Sequence, residues 1–101
     1  MSIEAELVPM HPGEVLELLY LEPLAMSAGQ LAKAIHVPRT RIERLIKGAT
    51  GVTPDTALRL GRFFRSTPDM WLGMQAAWDL AQTRRTVEGL DRIEPLRTNA
   101  A

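Results

Sequence analysis

SAGQLAKAIHVPRTRIERLIKG, residues 27–48, holds five of the chain's twelve basic residues and one acidic residue, although the 101-residue protein is formally neutral. It opens on Ser27-Ala-Gly-Gln30, a capping box in which the Ser and Gln side chains can each satisfy a free backbone donor of the other. Met26 and Leu31 are placed to staple that start. His36-Val37 stops the helix and Pro38 begins another, which ends at Gly48. Only about three residues, Ile35 to Val37, join the two helices: too few for an antiparallel bundle pair and suited to helices that cross steeply. Pro38 pushes Val37 toward extended backbone and turns the chain sharply. Ala32 is small enough for the next helix to pass close above it. His36, in the turn, sits where positive φ is often required, and His tolerates it better than branched residues.

With Ile35, Val37, Ile42 and Leu45 facing inward, the outward residues of helix 38–47 are Arg39, Thr40, Glu43, Arg44 and Lys47, a basic face to which Arg41 adds a further cation. An exposed helix fits the major groove of B-DNA. There Arg can bond both guanine acceptors, Thr can touch a thymine methyl and Glu can accept from cytosine. A basic helix face is more often only a solvated surface. Here the short connection, the small residue under the crossing, the inward apolar residues and the outward cations coincide, and together they favour DNA. Gln30 is ambiguous, since capping explains it fully and the same side chain can reach a phosphate.

Outward from this stretch, the charge is uneven. Residues 1–29 carry five acids (Glu4, Glu6, Glu14, Glu17, Glu22) and no base, residues 30–65 have a net charge of plus six, and residues 66–101 of minus one. Only the middle third reads as a surface for a polyanion. Arg59, Arg62 and Arg65 recur every three residues; phosphate contact and simple solvation fit them equally, and Arg62 is carried as a candidate phosphate ligand.

Prolines mark further helix starts at His11-Pro12, Thr53-Pro54 and Thr67-Pro68, the latter two behind good N-cap residues. The expectation is an all-α, compact five-helix domain with helices near 12–21, 27–35, 38–47, 54–65 and 68–84. Its apolar stripes run through Val15, Leu18, Leu19; Leu31, Ile35; Ile42, Leu45, Ile46; Ala57, Leu60, Phe64; and Trp71, Met74, Trp78. Residues 1–10 read as an N-terminal extension, 11–84 as the domain, and 85–101 as a tail that is either short docked structure or disorder. Two tryptophans exceed what so small a core needs, so Trp71, Met74 and Trp78 are expected at a subunit interface.

Several functions are disfavoured. The absence of cysteine removes disulfides, thiol catalysis and thiolate metal sites. His11, read as a helix-start residue, and His36 have no metal-ligand spacing, so no metal or cofactor is expected. No GxSxG, Walker or GxGxxG pattern occurs and no nucleophile has a base partner, so the chain is not expected to be an enzyme. No apolar run has the length of a membrane span, and the acidic first residues are unlike a signal peptide, so a cytoplasmic location is expected.

MHPGEVLELLYLEPLAMSAGQLAKAIHVPRTRIERLIKG, followed by VTPDTALRLGRFFRSTPDMWLGMQAAWDL, resembles the HigA/VapI type of antitoxin within the repressor-like (XRE) helix-turn-helix family. The resemblance covers about residues 10–80. It implies a five-helix fold, binding to double-stranded operator DNA as a homodimer, repression of the chain's own operon, and neutralisation of a RelE/HigB-like toxin that cleaves messenger RNA. It lays the recognition-helix positions on Arg39, Thr40, Glu43, Arg44 and Lys47, the small residue on Ala32, the turn on His36 and Val37, and a phosphate contact on Gln30. Gly48-Ala-Thr-Gly51 departs from relatives that carry a basic cluster there, which implies weaker or more dimer-dependent DNA binding. A stand-alone repressor without a toxin is the alternative, and an interaction module that has lost DNA binding is a third.

Overall fold

The computed structural model describes residues 8–97, so Glu4 and Glu6 of the acidic end, most of the expected 1–10 extension and the last tail residues lie outside the described residues. The order is α1 (Pro12–Val15) continuing into a π-helical stretch (Leu16–Leu21), then α2 (Ala28–Ala34), α3 (Arg39–Ile46), α4 (Pro54–Phe64) and α5 (Pro68–Thr86), with a short 3-10 turn at Leu90–Arg92. The all-α, five-helix expectation is met, and each helix lies within a few residues of its expected place.

Local chemistry explains most boundaries. Thr53 and Thr67 cap α4 and α5 by accepting the N–H of Thr56 and Met70, with proline next in line. His11 caps α1: its Nδ1 accepts the N–H of Gly13 at 2.9 Å. Both halves of the capping box on α2 are formed. Pro38 differs from the other helix-start prolines. It occupies the N-cap position of α3, extended at ψ 143, and makes no side-chain cap bond.

The first helix departs from its expected face. The apolar stripe predicts Leu18 and Leu19 facing inward, but both are exposed, while Leu16 and Leu21 are buried. The cause is the π-helical stretch, seen in the 2.9 Å bond from the Glu22 N–H to the Glu17 carbonyl. A turn closed from i to i+5 takes in one residue more than an α-turn, so the phase of the inward face slips along the chain.

The core comprises Leu16, Leu21, Leu31, Ala32, Ile35, Ile42, Leu45, Val52, Ala57, Leu60 and Trp71. Packing of α1 on α3 and α5, α2 on α3, and α4 on α5 closes it. Gly13 lets α1 approach the end of α3: a Cβ there would overlap the Leu45 carbonyl. Trp71 is fully buried, its ring 5.1 Å from Tyr20, and its Nε1–H donates to Ser66 Oγ. Its own domain consumes it, which corrects its expected place at a subunit interface. Met74 and Trp78 are half-buried, Trp78 edge-on to His11 with centroids 5.3 Å apart. From Val87 to Arg97 the chain is exposed apart from half-buried Gly89, and its only helical turn is the 3-10 turn at Leu90–Arg92.

Candidate nucleic-acid interface

The helices α2 and α3 end in the same way. At the end of α2, His36 adopts φ 61; its N–H reaches the Lys33 carbonyl and the Val37 N–H the Ala32 carbonyl. At the end of α3, Gly48 has φ 74, with Gly48 bonded to Leu45 and Ala49 to Arg44 in the same pattern. Both are Schellman closures, which reverse the chain while satisfying the last carbonyls. Ala32, Ile35, Ile42 and Leu45 are buried between the helices, as expected from their spacing.

That seat leaves Arg39, Thr40, Arg41, Arg44 and Lys47 exposed and Glu43 half-exposed. Their engagements differ. Arg39 Nε donates to Glu43 Oε2 at 3.1 Å while its side chain stays 71% exposed. Arg44 and Lys47 have no ion pair among the described residues. Arg41 is held by Asp55, at 2.7 Å. The same Asp55 oxygen accepts Arg59 Nε at 3.0 Å, and Arg59 Nη1 donates to the Ile35 carbonyl at 2.9 Å. Hydrogen bonds from Arg59 and Arg41 hold the Asp55 carboxyl below its ordinary value of 3.8. The chain of contacts links α3, the start of α4 and the turn, so it fixes the pose of the outward helix.

Gln30 Oε1 accepts the Ser27 N–H at 2.8 Å, leaving its amide nitrogen without a partner among the described residues. A Cβ on neighbouring Gly29 would sit 3.5 Å from Arg39 Cδ, so the starts of α2 and α3 lie side by side. Thr40 and Arg44 share a polar hollow of about 560 Å³ with Thr50 and Thr53. Arg62 lines a neighbouring groove with Ala34, Leu58 and Phe63, which shares Arg59 with this hollow and to which no α3 residue contributes.

Two contributors escaped the sequence reading. Asp55 carried a local signal, its i,i+4 spacing to Arg59. Gln75 carried none: its Oε1 accepts the N–H of buried Val52 at 2.7 Å from 23 residues away, and its Nε2 donates to Asp79 at 3.0 Å. It pins the loop after α3 to α5. Among the described residues no cluster of His, Asp or Glu could hold a metal, and no helix is long and apolar enough to cross a membrane.

A short turn, a buried helix pair and an outward basic helix define a helix-turn-helix domain of the repressor-like class. The chain belongs to the Helix-turn-helix family, whose model matches residues 19–71, just over half of it. It is 44% identical to Virulence-associated protein I of Dichelobacter nodosus, across 99% of this chain and 95% of that protein. It is 36% identical to Antitoxin HigA-1 of Vibrio cholerae, over 87% of this chain and 84% of the relative. Among solved structures, antitoxin GraA in complex with its operator superposes with a TM-score of 0.84 at 31% identity, over 91% of this chain and 95% of that one.

Proposed function

We propose that this chain is an antitoxin of the HigA type, which binds operator DNA as a homodimer through α3, represses its own operon, and neutralises a RelE/HigB-like toxin. The observation that carries the DNA half is the outward face of α3. Arg44 and Lys47 have no ion pair among the described residues, and Arg39 is ordered by Glu43. With Nε engaged, the Arg39 guanidinium still presents its terminal nitrogens, so Arg39 and Arg44 are assigned to base edges and Thr40 and Glu43 to neighbouring groove contacts. Lys47 and the free amide of Gln30 are assigned to phosphates. Arg41 acts through Asp55, by holding α3 in place. Relatives named as antitoxins, one solved on its operator, support the same reading.

For the toxin half, the support is a face of opposite sign. Leu18 and Leu19, exposed by the π-helical stretch, stand among Glu14, Glu17 and Glu22 with no base in the chain before Lys33. Acidic residues around apolar anchors suit a basic partner, through steering in the approach and burial in the complex.

A mobility-shift titration with the DNA upstream of its own gene tests the first half. Arg44→Ala should weaken the operator complex by on the order of 1–3 kcal/mol and relax sequence preference; unchanged affinity and preference in a folded variant would refute the assignment. For the second half, the product of the adjacent open reading frame is the probe. Reversing Glu14 and Glu17 should slow its association at low salt, and the absence of any complex would leave a stand-alone repressor.

A further inference from the structure

The chain after α5 has an unusual surface. Val87, Leu90, Ile93 and Leu96 are 43, 57, 68 and 88% exposed. Their three-residue spacing is the repeat of a 3-10 turn and of polyproline-II-like chain; Leu90–Arg92 form the first, Val87 and Ile93 are extended, and Gly89 between them is left-handed at φ 77. An apolar ridge of this kind needs a partner surface.

Its own domain does not supply one. The nineteen residues of α5 carry the tail roughly 28 Å from the α4–α5 corner at 1.5 Å per residue. The long axis is 56 Å and the radius of gyration 17.5 Å, against roughly 13 Å for a compact chain of this length.

The receiving surface lies at that corner. Ala34, Ile35, Leu58 and Phe63 line a groove of about 570 Å³, within the size range of binding clefts. Leu58 is 62% exposed, too much for an aliphatic residue serving only its own core. The charged residues on the groove are all basic, Arg59, Arg62 and Arg65. Arg59 is spent on Asp55 and the Ile35 carbonyl, whereas Arg62 and Arg65 have no ion pair among the described residues. Arg65 also stands at φ 56, a left-handed position where glycine would be less strained. On the tail, acids directly follow three of the four aliphatics, Val87-Glu88, Leu90-Asp91 and Ile93-Glu94, against two bases, Arg92 and Arg97.

We infer that residues 87–97 of each copy lie in the α4 groove of a second copy, aliphatics on Leu58 and Phe63, with Asp91 and Glu94 beside Arg62 and Arg65. The exchange is reciprocal, as a two-fold contact requires. This rests on the homodimer of the reading above, and it replaces the face of α5 with the tail as the adhesive element. It also gives Arg62 a role away from DNA.

Sedimentation velocity on the full chain tests it. Wild type should be dimeric, and Leu90→Ser/Ile93→Ser should dimerise on the order of tenfold or more weakly, with an unchanged far-UV spectrum, since both residues are exposed within one copy. Leu58→Asp should do the same from the groove side. Arg62→Glu/Arg65→Glu and Asp91→Arg/Glu94→Arg should each weaken the dimer, and combining all four in one chain should restore it. A monomeric wild type, a dimer indifferent to the serine pair, or no restoration by the fourfold swap overturns the inference. The two readings fail separately. A weakened-dimer variant that still binds DNA with Lys47-dependent salt sensitivity keeps the α3 assignment, and a tail-dependent dimer that ignores DNA removes it.

Discussion

Asp55, on the first turn of α4, receives Arg41 from the first turn of α3 at 2.7 Å. The contact is exposed, so its contribution to global stability is small. Its value is positional, because it restrains a helix whose outward side chains must meet fixed acceptors. Asp55→Asn is expected to move the melting temperature by no more than a few degrees while weakening operator binding several-fold, measured by mobility shift. Equal losses in both would make it a stability residue only. The ionised carboxylate is favoured in the folded state, its pKa lowered first by Arg59 and then by Arg41. Its stabilisation is therefore complete above the ordinary value of 3.8 and is lost as pH falls through the lower folded-state value. Wild type and Asp55→Asn should differ least at the acid end, in urea melts run below about pH 3.8 and near neutrality.

A matched pair of glycines separates close packing from helix propensity. At Gly13 a Cβ meets the backbone carbonyl of Leu45, which cannot rotate away as a side chain can. Gly13→Ala is expected to destabilise by about 1–3 kcal/mol, as overpacking does, and to disturb α3. At Gly73, inside α5, a Cβ meets nothing within 4 Å, so Gly73→Ala should stabilise by roughly 0.4–1 kcal/mol. Urea unfolding reads both, and the same sign for the two would defeat the packing account.

What was legible in the sequence follows the range of the interactions. The capping box at Ser27 and Gln30, the left-handed turn residue His36 and the stop at Gly48 act within a few residues, and the helix-turn-helix could be drawn from them. The seat of Ile42 and Leu45 followed from helical period alone. Leu18 and Leu19 were misplaced because that period fails where the chain closes i to i+5 bonds. Trp71 was assigned outward from its bulk, whereas Tyr20, 51 residues earlier in sequence, supplies the aromatic pocket that encloses it. Arg41 looked free for DNA because its partner Asp55 lies fourteen residues away on the next helix.

Gln75 offers a test of the loop after α3. The N–H of Val52 is held by the Gln75 side chain, and Val52 itself is buried. Gln75→Ala leaves that donor unsatisfied, which costs about 1–3 kcal/mol. It should speed exchange of the Val52 amide well beyond the change at Leu60, as followed by hydrogen exchange with NMR detection. Gln75→Glu retains an acceptor oxygen and should keep the Val52 amide slower than in the alanine variant. Uniform acceleration across the core would show a general loss of stability instead.

Lys47 and Arg44 lie three residues apart on α3 and should fail in different ways. Lys47, at the C-cap, offers a point charge on a flexible stem, suited to phosphate; Arg44 offers a planar fork, suited to guanine. Lys47→Ala should weaken operator and unrelated DNA alike, and reduce the slope of log affinity against log salt by roughly 0.9 per lost phosphate contact. Arg44→Ala should cost the operator more than unrelated DNA and narrow the gap between them. Fluorescence anisotropy at several salt concentrations, on operator and scrambled duplexes, separates the two. If Arg44→Ala lowered both affinities equally, Arg44 would belong with the phosphate contacts, and sequence reading would fall to Arg39 at the start of the helix.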